Sequence, residues 1–320
     1  MNKIEMVGKK VIAPASAILY KAFRYLLLIG VSYVVLFPII KMITGAFTLP
    51  LEHYMEDSGF LPDDPTFINF QDAYKYFPYF KYMWKTVQVA GICTILQLIS
   101  CSVVGYGLGR YKFKGNMLVF VCVLFTIILP IQVTVIPAFY NYRWFNLFGI
   151  GDVIGWFTGT PVTINLLKKN MALFVPCILG VGLNSGIYIF LFKQYFEGMP
   201  RDLEEAARID GCSPFMTFLR VMIPNIKPVI VTVALLSVIY YWNDTLLTGV
   251  YITKDDGWSL MLALEQLQDD HYLVQDQVDH AQLNVQRYAI LIMIVTPLML
   301  IFTVCQKFFV ECMDRSGSKG

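Results

Sequence analysis

Six apolar runs, each long enough to cross a lipid bilayer as a helix, set the limits on how this chain can fold. They cover about 22–46, 86–109, 117–139, 172–195, 226–250 and 288–310. A hydrocarbon core about 30 Å thick takes roughly 20 helical residues. Soluble chains are about a quarter charged; here 15% of residues are charged and 57% are hydrophobic. A single soluble core cannot hide that much apolar surface, so the chain is expected to be an all-α integral membrane protein with six transmembrane helices. The net charge of +2 gives no reason to expect nucleic acid as a partner. The seven cysteines form no C-x-x-C pair and the three histidines are scattered, so neither a disulfide framework nor a metal site is expected.

A seventh stretch, 144–164, is aromatic but broken by glycines and by Pro161. It reads as an interfacial segment rather than a span, because backbone groups in lipid must be satisfied internally. With six spans, one side of the membrane gathers 16 of the 25 basic residues. The positive-inside rule makes that side cytoplasmic, with both termini on it. The resulting divisions are a cytoplasmic segment 1–21, a first helix 22–46 and an extracellular segment 47–85. A five-helix core 86–310 and a cytoplasmic tail 311–320 follow.

Within the spans, Gly105 and Gly109 form a G-x-x-x-G pair that suits close helix packing. Gln97 on the same helix is a packing residue or faces a pathway. Pro130 and Pro137 predict a kink or unwinding in the third span, and Thr296-Pro297 predicts a kink in the last. Asp244, beside Trp242 and Asn243, is an ionisable group in the outer part of the fifth span, where burial is costly. It reads as a pathway residue, an interfacial cap or a subunit contact.

The loop 197–228 holds the densest local signals. Pro200 starts a helix whose first turn carries Asp202, Glu204 and Glu205. Leu203, Ala206 and Ala207 share a face. Gly211 sits where a left-handed C-cap is wanted. Ser213-Pro214 restarts a second helix as N-cap and first residue. Two short helices joined at a glycine are expected.

The string Glu205-Ala206-Ala207, Asp210-Gly211, Ile223-Pro224 resembles the EAA loop of ATP-binding-cassette importer permeases. The wider run from Gly198-Met199-Pro200-Arg201, together with Trp242-Asn243-Asp244, is similar to the sugar-importer branch, and the chain resembles the smaller permease of maltose-type importers. The resemblance implies a MetI-like type I permease core. It also implies that Glu204, Glu205, Ala206, Ala207, Asp210, Gly211 and Pro224 belong to a coupling loop that docks on a separate ATPase subunit. That subunit would hold ATP and Mg, and this chain would bind no cofactor. A second homologous permease subunit and an extracellular solute-binding protein are implied as further partners. Asp255, Asp256 and Gly257, in the acidic outer segment 251–287, become candidates for contact with the binding protein. Residues 140–171 are longer than the family pattern, and the tail Glu311-Cys312-Met313-Asp314 departs from it. In agreement with an ATPase on another chain, the sequence has no G-x-x-x-x-G-K-[ST] loop. Two other classes remain open at this point. An ion-coupled secondary transporter would show inverted repeats and in-membrane relays. A membrane-embedded enzyme would show a catalytic constellation inside its spans. Neither signature is found in the sequence.

Overall fold

Backbone groups in lipid have to bond within their own segment, and the apolar runs fold as helices. A computed structural model of the protein describes residues 3–54, 61–160, 162–168, 170–252, 259–271 and 277–317. The helices are α1 (Lys3–Phe47), α2 (Pro50–Tyr54), α3 (Ile68–Tyr76), α4 (Tyr79–Arg110), α5 (Asn116–Ile128), α6 (Ile131–Arg143), α7 (Ile150–Thr158) and α8 (Met171–Ile178). They continue as α9 (Ser185–Glu197), α10 (Asp202–Ile209), α11 (Pro214–Thr217), α12 (Ile223–Asn225), α13 (Lys227–Trp242), α14 (Leu246–Tyr251), α15 (Leu260–His271) and α16 (Gln277–Gly317). The only extended pairing among the described residues is an isolated bridge between Phe145 and Ile164.

The six expected windows and the observed helices differ in an informative way. Three helical stretches are long and apolar enough to cross a membrane alone: Ala17–Phe47, Tyr79–Arg110 and Gln282–Lys307. The third window is a bent pair, α5 and α6, turning by 107° at Leu129-Pro130. Pro130 has no N–H to continue the helix, so the break falls where the sequence placed it. Pro137 and Pro297, by contrast, lie inside α6 and α16 without interrupting them. The fourth window is broken between α8 and α9, and the fifth ends at Trp242 before the separate α14. The stretch 144–164 contains the nine-residue α7, too short to cross a bilayer.

The chain divides into two compact units, residues 1–77 with 274–293 and residues 78–273 with 294–320. In the first, α1 runs unbroken for 45 residues, through the boundary expected at 21/22. Its end is held by Asn69, whose side-chain amide donates to the carbonyls of Ala46 (2.9 Å) and Thr48 (2.7 Å). These are carbonyls that a helix C-terminus leaves without intrahelical partners.

In the second unit α4 is the central helix. Gly105 and Gly109 bring it against α9: a Cβ at Gly105 would lie 2.5 Å from Phe192 Cβ and 3.0 Å from the Lys193 backbone N. One apolar cluster surrounds that crossing, with Tyr106, Tyr188, Phe192, Phe196, Phe218, Met222 and Val229 buried together. A second cluster packs Val89, Cys93, Leu173, Cys177, Tyr241 and Tyr251. Between them runs a buried hydrogen-bond chain. Thr94 Oγ1 donates to Ser237 Oγ (3.0 Å), which donates to Gln97 Oε1 (2.8 Å). Gln97 Nε2 in turn donates to the Leu183 carbonyl and to Ser185 Oγ, both at 2.8 Å. Fully paired polar chains of this kind fix one arrangement of helices, because slippage would strand buried polar groups.

The glycine packing gives a direct test. Gly105→Leu should destabilise the protein by about 1–3 kcal/mol through overpacking. Gly107→Leu, where an added Cβ meets nothing within 4 Å, should stay within about 0.5 kcal/mol of wild type. Thermal unfolding in detergent micelles measures both, and equal effects at the two positions would contradict the packing described.

Candidate functional site

The loop 197–228 is built as the local sequence dictates. Asp202, Glu204 and Glu205 fill the first turn of α10, where carboxylates meet the positive end of the helix dipole. At its other end Gly211 adopts φ +80°. Its N–H donates to the Arg208 carbonyl (3.0 Å) and the Cys212 N–H to the Ala207 carbonyl (2.9 Å). This is the paired C-terminal bonding that a left-handed glycine makes available. Ser213 then caps α11, its hydroxyl accepting from the Met216 N–H at 3.3 Å, with Pro214 as first residue. The chain continues through a wider turn, Phe218–Met222, into α12.

The two faces of this loop differ. Ala207, Thr217, Phe218 and Met222 are buried. Ile209 is 87% exposed and Phe215 67% exposed, one on each side of the glycine joint. Glu205, Ala206, Asp210, Gly211 and Pro224 are exposed as well. Large apolar side chains held out on a rigid, polar-rimmed loop form a surface suited to a protein partner.

Glu204 does something the sequence did not reveal. It turns inward and is gripped by Arg110, the last residue of α4. Arg110 Nε donates to Glu204 Oε1 and Nη2 to Oε2, both at 3.0 Å. The Tyr106 hydroxyl adds a third bond to Oε1, also 3.0 Å. The same guanidinium caps the end of α9, with Nη1 donating to the carbonyls of Phe196 (3.2 Å) and Met199 (2.9 Å) and Nη2 to that of Pro200 (3.4 Å). The two side chains are 5% and 13% exposed. A planar fork of donors satisfies a carboxylate and several carbonyls at once, which a lysine ammonium cannot match. One residue thus ties α4, α9 and α10 together.

The other candidates lie apart from this loop. Gln97 is fully buried in the chain of hydrogen bonds already described. Trp242 is 2% exposed, and its indole N–H has no hydrogen-bond partner among the described residues. Asn243 and Asp244 line a cleft of about 830 Å³. Asp244 caps α14: its carboxylate accepts from the N–H groups of Leu247 (3.0 Å) and Thr248 (2.8 Å) and from Thr248 Oγ1 (2.7 Å). Its backbone carbonyl accepts from Ser259 Oγ at 3.1 Å. Asp255, Asp256 and Gly257 lie outside the described residues.

Sequence reading missed Arg110 and Tyr106 because their partner is more than ninety residues away and no local pattern marks the pair. Removing one member of a buried, bonded ion pair costs about 3–5 kcal/mol. Arg110→Leu should therefore lower stability by that order, and Arg110→Lys should recover only part of it. A double-mutant cycle with Glu204→Gln should return a coupling energy above about 1 kcal/mol; a cycle that closes to zero would show the contact to be idle. Gly211→Val should cost about 1–2 kcal/mol from left-handed backbone strain alone, since open space surrounds the site. Thermal unfolding of the variant measures it.

Comparison with known proteins gives this geometry a context. The chain is 27% identical over 305 residues to the arabinooligosaccharides transport system permease protein AraQ of Bacillus subtilis (strain 168), covering 94% of this chain and 96% of that one. It is 23% identical over 300 residues to the maltose/maltodextrin transport system permease protein MalG of Vibrio parahaemolyticus, covering 89% and 91%. Its fold matches a chain in the crystal structure of a bacterial ABC transporter involved in the import of the acidic polysaccharide alginate. There the TM-score is 0.72 at 22% identity, over 92% of this chain and 98% of that one. The family described as binding-protein-dependent transport system inner membrane component matches residues 102–315. That match spans more than half of the sequence, takes in α10 and α11 with Gly211 between them, and places the chain in the family of binding-protein-dependent transport system inner membrane components.

Proposed function

We propose that this chain is the permease subunit of an ATP-driven importer that takes up a sugar or oligosaccharide delivered by an extracellular solute-binding protein. Family membership makes it a membrane transport component rather than an enzyme, and it leaves the secondary-transporter and membrane-enzyme readings without support. The sugar class follows the names of the relatives. ATP and Mg belong on a separate ATPase subunit. A second homologous permease completes the pathway, and the excess of basic residues on one side supports both termini being cytoplasmic.

The observation that carries the reading is the construction of the loop. Its exposed Ile209 and Phe215 offer the ATPase a contact, and its buried Glu204 is held by Arg110 at the foot of α4. When the ATPase subunits close on nucleotide, the loop moves with them. Arg110 passes that displacement to α4 and α9 together, because bending the loop alone would break several charge-assisted hydrogen bonds. The permease performs no bond chemistry; nucleotide shifts its balance between two openings.

The test is co-purification followed by reconstitution. Ile209→Asp with Phe215→Asp should weaken ATPase association by at least about tenfold, the loss expected from charging the centre of an apolar contact. Wild-type vesicles should accumulate labelled oligosaccharide only when ATPase and ATP are both present. Full-speed uptake without the ATPase subunit would overturn the proposal.

A further inference from the structure

Three helix interruptions meet at one cleft. Leu129 comes from the bend between α5 and α6, Gly182–Asn184 from the gap between α8 and α9, and Asn243–Thr245 from the gap between α13 and α14; all of them line it. The middle gap is locked open by left-handed residues, Gly180 at φ +71° and Asn184 at φ +57°. Irregular backbone at membrane depth is tolerated where it is buried in protein or faces a wet cavity, and in secondary transporters unwound segments of this kind hold solutes. The cleft volume of about 830 Å³ lies within the range of about 300–1,000 Å³ usual for small-molecule sites.

Most of the cleft lining is apolar, and four polar side chains on it share one chemistry. Gln132, Asn184 and Tyr240 line it and make no side-chain hydrogen bond among the described residues. Asn243 spends its Nδ2 on the Ile239 carbonyl (2.8 Å), and its amide oxygen has no partner among the described residues. Together these groups offer uncharged donors and acceptors of the kind that pair with hydroxyls. Among the described residues no lysine or arginine lines the cleft, and the one formally charged lining group among them is Asp244. Both oxygens of that carboxylate are already taken by Leu247 and Thr248.

We propose that this cleft is a subsite for a neutral oligosaccharide, read by Gln132, Asn184, Tyr240 and Asn243, and that it disfavours acidic ones. The proposal rests on the importer reading above and deepens it. Sugar hydroxyls donate and accept, so amides and a phenol satisfy them without charge. A uronate carboxylate entering the cleft would lose water, meet no cation among the described lining residues and face the like charge of Asp244.

The experiment uses the complete transporter in proteoliposomes, with its ATPase, its second permease and its binding protein. The probes are size-matched trisaccharides, neutral and uronate-bearing. The neutral probes should be taken up at least about tenfold faster, as expected when a buried charge has no partner. Gln132→Leu with Tyr240→Phe should raise the KM for neutral sugar about tenfold, the loss expected from two hydrogen bonds. The variant should still assemble with its partner subunits and unfold at the wild-type temperature, which separates a lost sugar contact from a damaged fold. Equal uptake of the uronate, or an unchanged KM in the double variant, would overturn the subsite alone. ATP-driven uptake of a non-carbohydrate solute in place of both trisaccharides would overturn the sugar reading as well.

Discussion

The Arg110 guanidinium holds the working parts of this molecule in register. It sits where three helix ends converge, and each of those ends exposes polar backbone that must find a partner. The fork of donors closes on Glu204 and on the carbonyls of Phe196 and Met199 in the same stroke. Burial makes the arrangement all-or-none: a charge in that position is favourable only while every partner stays in place. Loop, α4 and α9 therefore share one orientation.

Directly above this anchor, Gly105 and Gly109 let α4 and α9 touch along their backbones. Further along α4, Gln97 joins the same helix to α13 through Ser237 and to the start of α9 through Ser185. Glycine contact, buried amide and ion pair occupy successive levels of one helix. Such a stack moves as a body, because no level can yield without leaving a cavity or an unpaired polar group. Stiffness of that kind is what a loop needs if force applied at its surface is to reach the spans.

The features legible in the sequence were those with local causes. Gly211, Ser213 and Pro214 announce a joint because capping is decided within a few residues, and the structure shows that joint. Pro130 announces a break for the same reason. The interruption between α8 and α9 was hidden inside a hydropathy window, although Gly180, Gly182 and Asn184 carry the signal for it. An apolar average over about 20 residues cannot register a gap of a few. The inward turn of Glu204 was illegible in principle. Its place in the first turn of α10 suggested a dipole partner and its motif a coupling-loop residue, whereas the residue that captures it comes from a different helix. Asp244 lay between these cases. Its side chain serves as the cap for α14, a short helix that the single apolar window 226–250 did not show, while its place on the cleft wall depends on the tertiary fold.

The account stands or falls on whether the loop and α4 move together. Paired spin labels at Ala206 and Val103, both exposed positions, would report the distance between them in a cysteine-free background. The measurement belongs in the assembled transporter, without nucleotide and with ATP trapped. The account predicts one unchanged distance distribution in both states while distances across the transporter shift. A loop-to-α4 distance that changes with nucleotide would contradict it.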